Sequence, residues 1–349
     1  MVQIKYWPIE LTLAYPWTIA SGVATGGSNT AESGILQLTG DDGVIGLGEA
    51  APSQRYNESV PSALDFLAKL DGRKLSFDDV EGSMKYVESV APSQFAAKSA
   101  VNIALLDGAT RKAGKAIYDY LGLGFRDLHH VTSYSIGIDK PEVIRKKVLA
   151  AEQYPVLKLK VGGPDDKANV AALREAAPKK WVRVDANEGW KTKEFALEMA
   201  EWLAADGHIQ FIEQPMPAGT NPKDLAWLKS RSPLPLIADE AYHTAKDVPH
   251  CAECYHGVNV KLCKTGGISN AYEALQAARK AGLKTMIGCM LETSIHISAA
   301  AHLAELTDYL DIDGNILVTD DRYVGVTAEK GLLSFAKAPE KTGLRVSKR

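Results

Sequence analysis

Hydrophobic and polar positions change their rhythm about a third of the way along the chain. Before that point "IKYWPIELTLAY" (4–15) and "GILQLTGDDGVIGLGEA" (34–50) alternate as antiparallel strands do, with "GDDG" at 40–43 as a hairpin turn. Helical patterns follow at 59–70, 77–90 and 93–121. In the last of these Ala96, Ala100, Ile103, Ala104 and Ala109 fall near a 3.6-residue period, a small-residue face suited to close packing. From about Val131 short apolar runs alternate with amphipathic segments: "VTSYSIGI", "VLKLKV", "WVRVDA", "IQFIEQ", "LPLIAD", "GVNVKL", "KTMIGCM" and "YLDIDG". Eight strand candidates with helices between them predict an α/β fold with a parallel sheet, either a closed barrel or an open doubly wound sheet.

The polar residues that end these runs choose between the two. From the second run onward they are Lys160, Asp185, Glu213, Asp239, Lys261, Glu292 and the pair Asp311/Asp313. The first five recur about every 25 residues, one βα unit. In a closed barrel the C-terminal strand ends converge on one cavity, which the distant edges of an open sheet cannot do, so closure is the better reading.

Asp185, Glu213 and Asp239 on three consecutive strands would repel one another in a low-dielectric pocket without a cation. All-oxygen ligation selects a hard ion, so Mg2+ is expected, with Mn2+ as the substitute. Lys158 and Lys160 point to one face of their strand, a pairing that ordinarily lies in water. Beside three acids, with Lys261 on the following strand, Lys160 reads instead as a base whose charged form the metal and Lys158 disfavour. Lys264 reads equally as a similar modulator or as a solvated loop residue.

Composition narrows the partners. Forty Lys and Arg against 43 Asp and Glu leave a net charge of −3, which gives no reason to expect nucleic acid or an anionic membrane. No apolar run is long enough to span a bilayer, and the N-terminus has no basic, then apolar leader; a cytoplasmic protein is expected. Four cysteines make no disulfide framework, and the lone Cys251-x-x-Cys254 lacks a second pair. Cys263 and Cys289, in apolar runs, read as core residues.

"KLKVGG", "VDANEGW", "FIEQPMP", "IADE" and "VNVKLCKTGGI", in this order and preceded by "GLGEAAP", resemble the enolase superfamily, most closely its muconate-lactonizing-enzyme subgroup. The resemblance implies a modified TIM barrel, (β/α)7β, over residues 126–319, with an α+β capping domain at 1–125 completed by about 320–349. It implies a small-molecule carboxylate substrate on Mg2+, α-proton removal by a lysine, and a metal-stabilised enediolate. Lys158 would act electrostatically, and Asn187 and Glu240 would support the metal ligands. Two lysines leave open epimerisation, elimination as in o-succinylbenzoate synthesis, N-succinylamino acid racemisation, and muconate-type cycloisomerisation.

"DIDG", with Asp311 and Asp313, resembles the dipeptide epimerases, in which such a pair holds the substrate's N-terminus. Glu292, in "IGCMLETSI", resembles the seventh strand of the same subgroup, and Ser21 joins the substrate-binding set from the loop at 18–30. The implied activity is that of an isomerase inverting the C-terminal residue of an L-Ala-L-Xaa dipeptide. That loop has no arginine to pair with a γ-carboxylate, so a small or apolar Xaa is expected over Glu. Arg55, beside Tyr56 in "APSQRYNES", reads as a surface residue. No histidine is expected as a base, His296 included. A homo-oligomer is expected, and the complete set of three acids and two lysines speaks against a non-catalytic relative.

Overall fold

The computed structural model describes residues 1–22 and 27–349. Strand Gln3–Trp17 pairs antiparallel with Ser28–Thr39, which pairs with Ile45–Ala50 through the predicted turn. Against this sheet lies helix Phe95–Lys112, and its small-residue face is what permits the approach. A Cβ at Gly46 or Gly48 would stand 2.0 Å from the carbonyl oxygen of Ala104 or Ala100. The helix predicted over 93–121 is two, Phe95–Lys112 and Ile117–Tyr120, because Gly114 turns left-handed (φ 66°) between them.

Eight parallel strands follow: Tyr134–Ile136, Val156–Lys160, Trp181–Asp185, Ile209–Glu213, Leu236–Ala238, Gly257–Val260, Lys284–Gly288 and Tyr309–Asp311. Each pairs with the next in chain order, and each of the seven intervals carries a helix. A parallel bridge between Thr132 and Leu310, with Ser133 N donating to Leu310 O at 3.1 Å, brings the eighth strand back to the first. The sheet is therefore a nearly closed (β/α)7β barrel and not an open one. Register sets Lys160 opposite Asp185 and Asp185 opposite Glu213, so these strand ends lie level. Inside the barrel Phe211, Ile237, Met286 and Tyr309 form a small apolar cluster, with the Arg183 guanidinium over the rings of Phe211 and Tyr309.

The N-terminal sheet shares its core with the barrel through Ile9, Leu11, Leu13 and Ile35. After the eighth strand the chain returns to this sheet and its helix: Ala14 N donates to Leu317 O, Thr319 N to Thr12 O, and Leu344 N to Asp107 Oδ1 on the helix. Among the described residues no helix is long and apolar enough to cross a membrane.

Candidate active site

A cavity of about 530 Å3 lies between the barrel's strand ends and the N-terminal sheet. Trp17, Ile19, Ser21 and Tyr56 line it from above, and Lys158, Lys160, Lys261, Asp311 and Asp313 from the barrel. Behind these lysines one carboxylate oxygen each of Asp185, Glu213 and Asp239 lies within 4.8 Å of the others, all three side chains fully buried. Among the described residues, Glu213 Oε2 and Asp239 Oδ2 accept no well-directed hydrogen bond; they meet the ammonium groups of Lys158 at 2.8 Å and Lys261 at 2.9 Å. Three converging hard oxygen donors with spare lone pairs fit a divalent cation. Burial and the neighbouring Asp185 push the Glu213 carboxyl up to about 7. Burial also opposes ionisation of Asp239, but Lys261 and Lys264 outweigh it and hold that carboxyl well below its usual range.

Lys158 and Lys160 do share a face, and both are buried. Each is paired with acids. Lys158 Nζ lies 2.6 Å from Asp311 Oδ2, 2.8 Å from Glu213 Oε2 and 3.1 Å from Asp185 Oδ2. Lys160 Nζ lies 2.6 Å from Asp185 Oδ2 and faces the Trp17 ring at 6.0 Å. Burial would lower the Lys158 and Lys261 ammoniums, yet the carboxylates around them prevail and hold both well above the usual lysine value. At Lys261 the lowering expected of a base is thus opposed by the acids beside it. Lys264 is no solvated loop residue: it lies on the short helix Leu262–Thr265, buried, with Nζ 2.6 Å from Asp239 Oδ1.

Asp311 ends the eighth strand and Asp313 lies just beyond it, both on the cavity wall. Ser133 Oγ donates to Asp311 Oδ1 at 2.6 Å, and Ser135 N donates to Asp313 Oδ2 at 2.6 Å. Against the effect of burial, Lys158 and Lys160 hold Asp311 at about 2; burial and Asp311 push Asp313 up to about 7. Cys289, read as core, is half-buried and on the same wall, its Sγ 3.8 Å from Asp313 Oδ1.

Asn187 N donates to Asp185 Oδ1 and its amide to Glu240 Oε1 at 3.1 Å. Burial, then Asp239 and Asp185, push Glu240 up to about 8. Glu292 is not among the residues that line the cavity. It accepts from Met290 N at 3.0 Å and lies buried 3.9 Å from His296, which burial pushes down to about 4. Ser21 is exposed at the cavity rim; residues 23–26 of the expected specificity loop lie outside the described residues. Arg55 is exposed, as the surface reading has it, and it also lines the cavity and makes a bidentate ion pair with Glu188.

Several residues that hold the site in place carried no separate prediction. Asn259 donates to Glu213 Oε1 at 2.8 Å, and Gln214 Oε1 accepts from Asp239 N and Ala241 N. Glu49, from "GLGEAAP", accepts from Thr293 N and His296 N beside the seventh strand. Asn259 was findable: it stands two residues before Lys261, as Lys158 does before Lys160, and so faces inward too.

The profile described as Mandelate racemase / muconate lactonizing enzyme, N-terminal domain, matches residues 9–122, and that described as Enolase C-terminal domain-like matches 143–344. The chain belongs to the enolase superfamily. Within this superfamily it is 79% identical to the L-Ala-D/L-amino acid epimerase of Pedosphaera parvula over 99% of both chains. It resembles the dipeptide epimerase of Enterococcus faecalis, solved with Mg and L-Leu-L-Tyr: TM-score 0.88, 30% identity, 99% of both chains covered. The dipeptide epimerase of Cytophaga hutchinsonii, solved with Mg and D-Ala-L-Val, gives a TM-score of 0.90 at 27% identity over 99% of this chain and 95% of that one.

Proposed function

We propose that this isomerase inverts the C-terminal residue of L-Ala-L-Xaa-type dipeptides by two-lysine 1,1-proton transfer, residues 1–125 and 320–349 capping a catalytic barrel of 126–319. One observation carries the reading: Asp311 and Asp313 line the cavity, Asp185, Glu213 and Asp239 lie behind its lysines, and Lys158 touches both groups. That suits a substrate with a carboxylate at one end, for a metal, and an ammonium at the other. The similarity to dipeptide epimerases supports it.

In this reading Asp185, Glu213 and Asp239 hold Mg2+, or Mn2+ in its place, with Asn187 and Glu240 hydrogen-bonded beside them. Bound there, the cation supplies positive charge that disfavours the lysines' charged forms and favours the negative charge developing on the substrate carboxylate. Lys160 and Lys261, on the second and sixth strands, flank the trio through Asp185 and Asp239. One accepts the α-proton and the other returns a proton to the opposite face, so no atom is gained or lost. The Lys158 ammonium faces the charge that accumulates between these two steps. Asp313, steadied by Ser135 N, takes the α-ammonium, with Asp311 and Cys289 beside it. Ser21 closes the rim; Glu292 shapes the wall through Met290 instead of touching substrate.

The test is product analysis with Mg2+ and two substrate sets, L-Ala-L-Xaa dipeptides and N-succinyl amino acids. The reading expects L-Ala-D-Xaa from the dipeptides. Turnover of the succinyl compounds alone would contradict it, because they have no ammonium for Asp313.

A further inference from the structure

The cavity wall carries one ion pair that the proton transfer does not use. Arg55, on the short turn Gln54–Tyr56 of the N-terminal unit, donates from Nε to Glu188 Oε2 at 2.7 Å and from Nη2 to Glu188 Oε1 at 2.8 Å. Glu188 is held from the other side by Ala218 N, which donates to Oε1 at 2.8 Å. Its backbone is left-handed (φ 67°), directly after left-handed Asn187 (φ 40°), a costly arrangement for two side-chain-bearing residues in succession. The loop leaving the third strand is thereby turned so that Asn187 meets Glu240 while Glu188 meets Arg55.

Charge on the wall gives the pair its meaning. Among the described residues lining the cavity, the cations are Lys158, Lys160, Lys261 and Arg55. The three lysines are committed to the buried acids, which leaves Arg55 as the one cation placed to meet a substrate side chain. Positions 18–31 contain no charged residue at all, so that segment brings no further cation to the cavity. The next charged residue along the chain, Glu32, is an exposed acid on the cavity wall.

We infer that Glu188 determines which side chain the site accepts: by occupying Arg55 in a neutral bidentate pair, it withholds that cation from the substrate and turns the site toward neutral Xaa and against acidic Xaa. The inference rests on the dipeptide-epimerase reading and adds its selectivity. Nη1 of Arg55 remains over, but a carboxylate drawn to it would come to lie beside that of Glu188, and the pair has no net charge to attract it. Selectivity here comes from a repulsive neighbour as much as from an absent attraction.

The experiment compares the kcat/KM ratio of L-Ala-L-Glu to L-Ala-L-Val in the wild type, Glu188→Gln and Arg55→Gln/Glu188→Gln. Gln keeps an oxygen for Ala218 N and removes the charge. The ratio should rise about fivefold in E188Q, mainly through a lower KM for the acidic dipeptide, and fall back in the double variant; Arg55 is half-exposed, so a larger change is not expected. Glu188→Ala serves as a second single variant with the same expected direction, and turnover of L-Ala-L-Val reports that each variant is folded. An unchanged ratio in both single variants, or a rise that survives loss of Arg55, overturns the inference while wild-type turnover of L-Ala-L-Val leaves the epimerase reading standing. No turnover of any dipeptide by the wild type overturns that reading and the inference with it.

Discussion

Lys158 Nζ lies 2.6 Å from Asp311 Oδ2, a buried ion pair that joins the second barrel strand to the eighth inside the cavity. The same ammonium touches Glu213 and Asp185, so one lysine neutralises acids of both candidate substrate-end sites. Removing one member of such a pair leaves buried charge uncompensated, which costs about 3–5 kcal/mol. Lys158→Met should therefore lower unfolding free energy by about that much in urea titrations. Adding Asp311→Asn should restore part of it, because one stranded charge is then gone; fully additive losses would show that the two side chains are not coupled.

The Asp313 carboxyl, pushed up to about 7 by burial and Asp311, gives a pH dependence whose sign is fixed. Below that pH the group is neutral and has no charge for an α-ammonium; above it the carboxylate is present. KM for a dipeptide should rise as pH falls through about 7, and Asp313→Asn should raise KM above that pH and flatten that limb. A KM that improves on acidification would rule out this role.

Binding a cation to Asp185, Glu213 and Asp239 relieves repulsion among three buried acids and stabilises only the folded chain. At about one hundred times its Kd, Mg2+ should add about 2.7 kcal/mol of stability, seen as a rise in Tm that chelation reverses. Asp239→Asn should lose most of that Mg2+-dependent rise. An unaltered Mg2+ response in this variant would move the ion elsewhere.

Glu49 binds the N-terminal sheet to the loop after the seventh barrel strand, where Thr293 and His296 donate to it and Met290 and Leu291 line the cavity. Glu49→Ala leaves buried N–H groups without an acceptor, at a cost of about 1–3 kcal/mol. Scanning calorimetry should show the loss, and KM should rise with it through the displaced wall.

Much of this was legible before any coordinates. Side chains alternate along strands and barrel strands converge at one end, so polar strand ends at one-unit spacing named Lys160, Asp185, Glu213, Asp239 and Lys261 together. Period two also pointed Lys158 inward, and it would have pointed Arg183 and Asn259 inward had it been applied to every strand. What pattern could not show was contact between distant segments. Glu188 follows a strand end by three residues and Arg55 sits far upstream, so only folding brings them together. Lys264 was ambiguous because its helix is a single turn, too short to leave a period. The place of Glu292, off the cavity wall, was illegible for a related reason: the chain turns after Gly288, and alternation no longer decides which way a side chain points.

The central claim is that Lys160 and Lys261 serve opposite faces of one α-carbon, and single-lysine variants in D2O test it most directly. Lys160→Ala and Lys261→Ala should each abolish epimerisation, yet each should still exchange the α-proton of one dipeptide epimer for deuterium, Lys160→Ala acting on one and Lys261→Ala on the other. Exchange of the same epimer by both variants, or epimerisation surviving either substitution, would contradict the account.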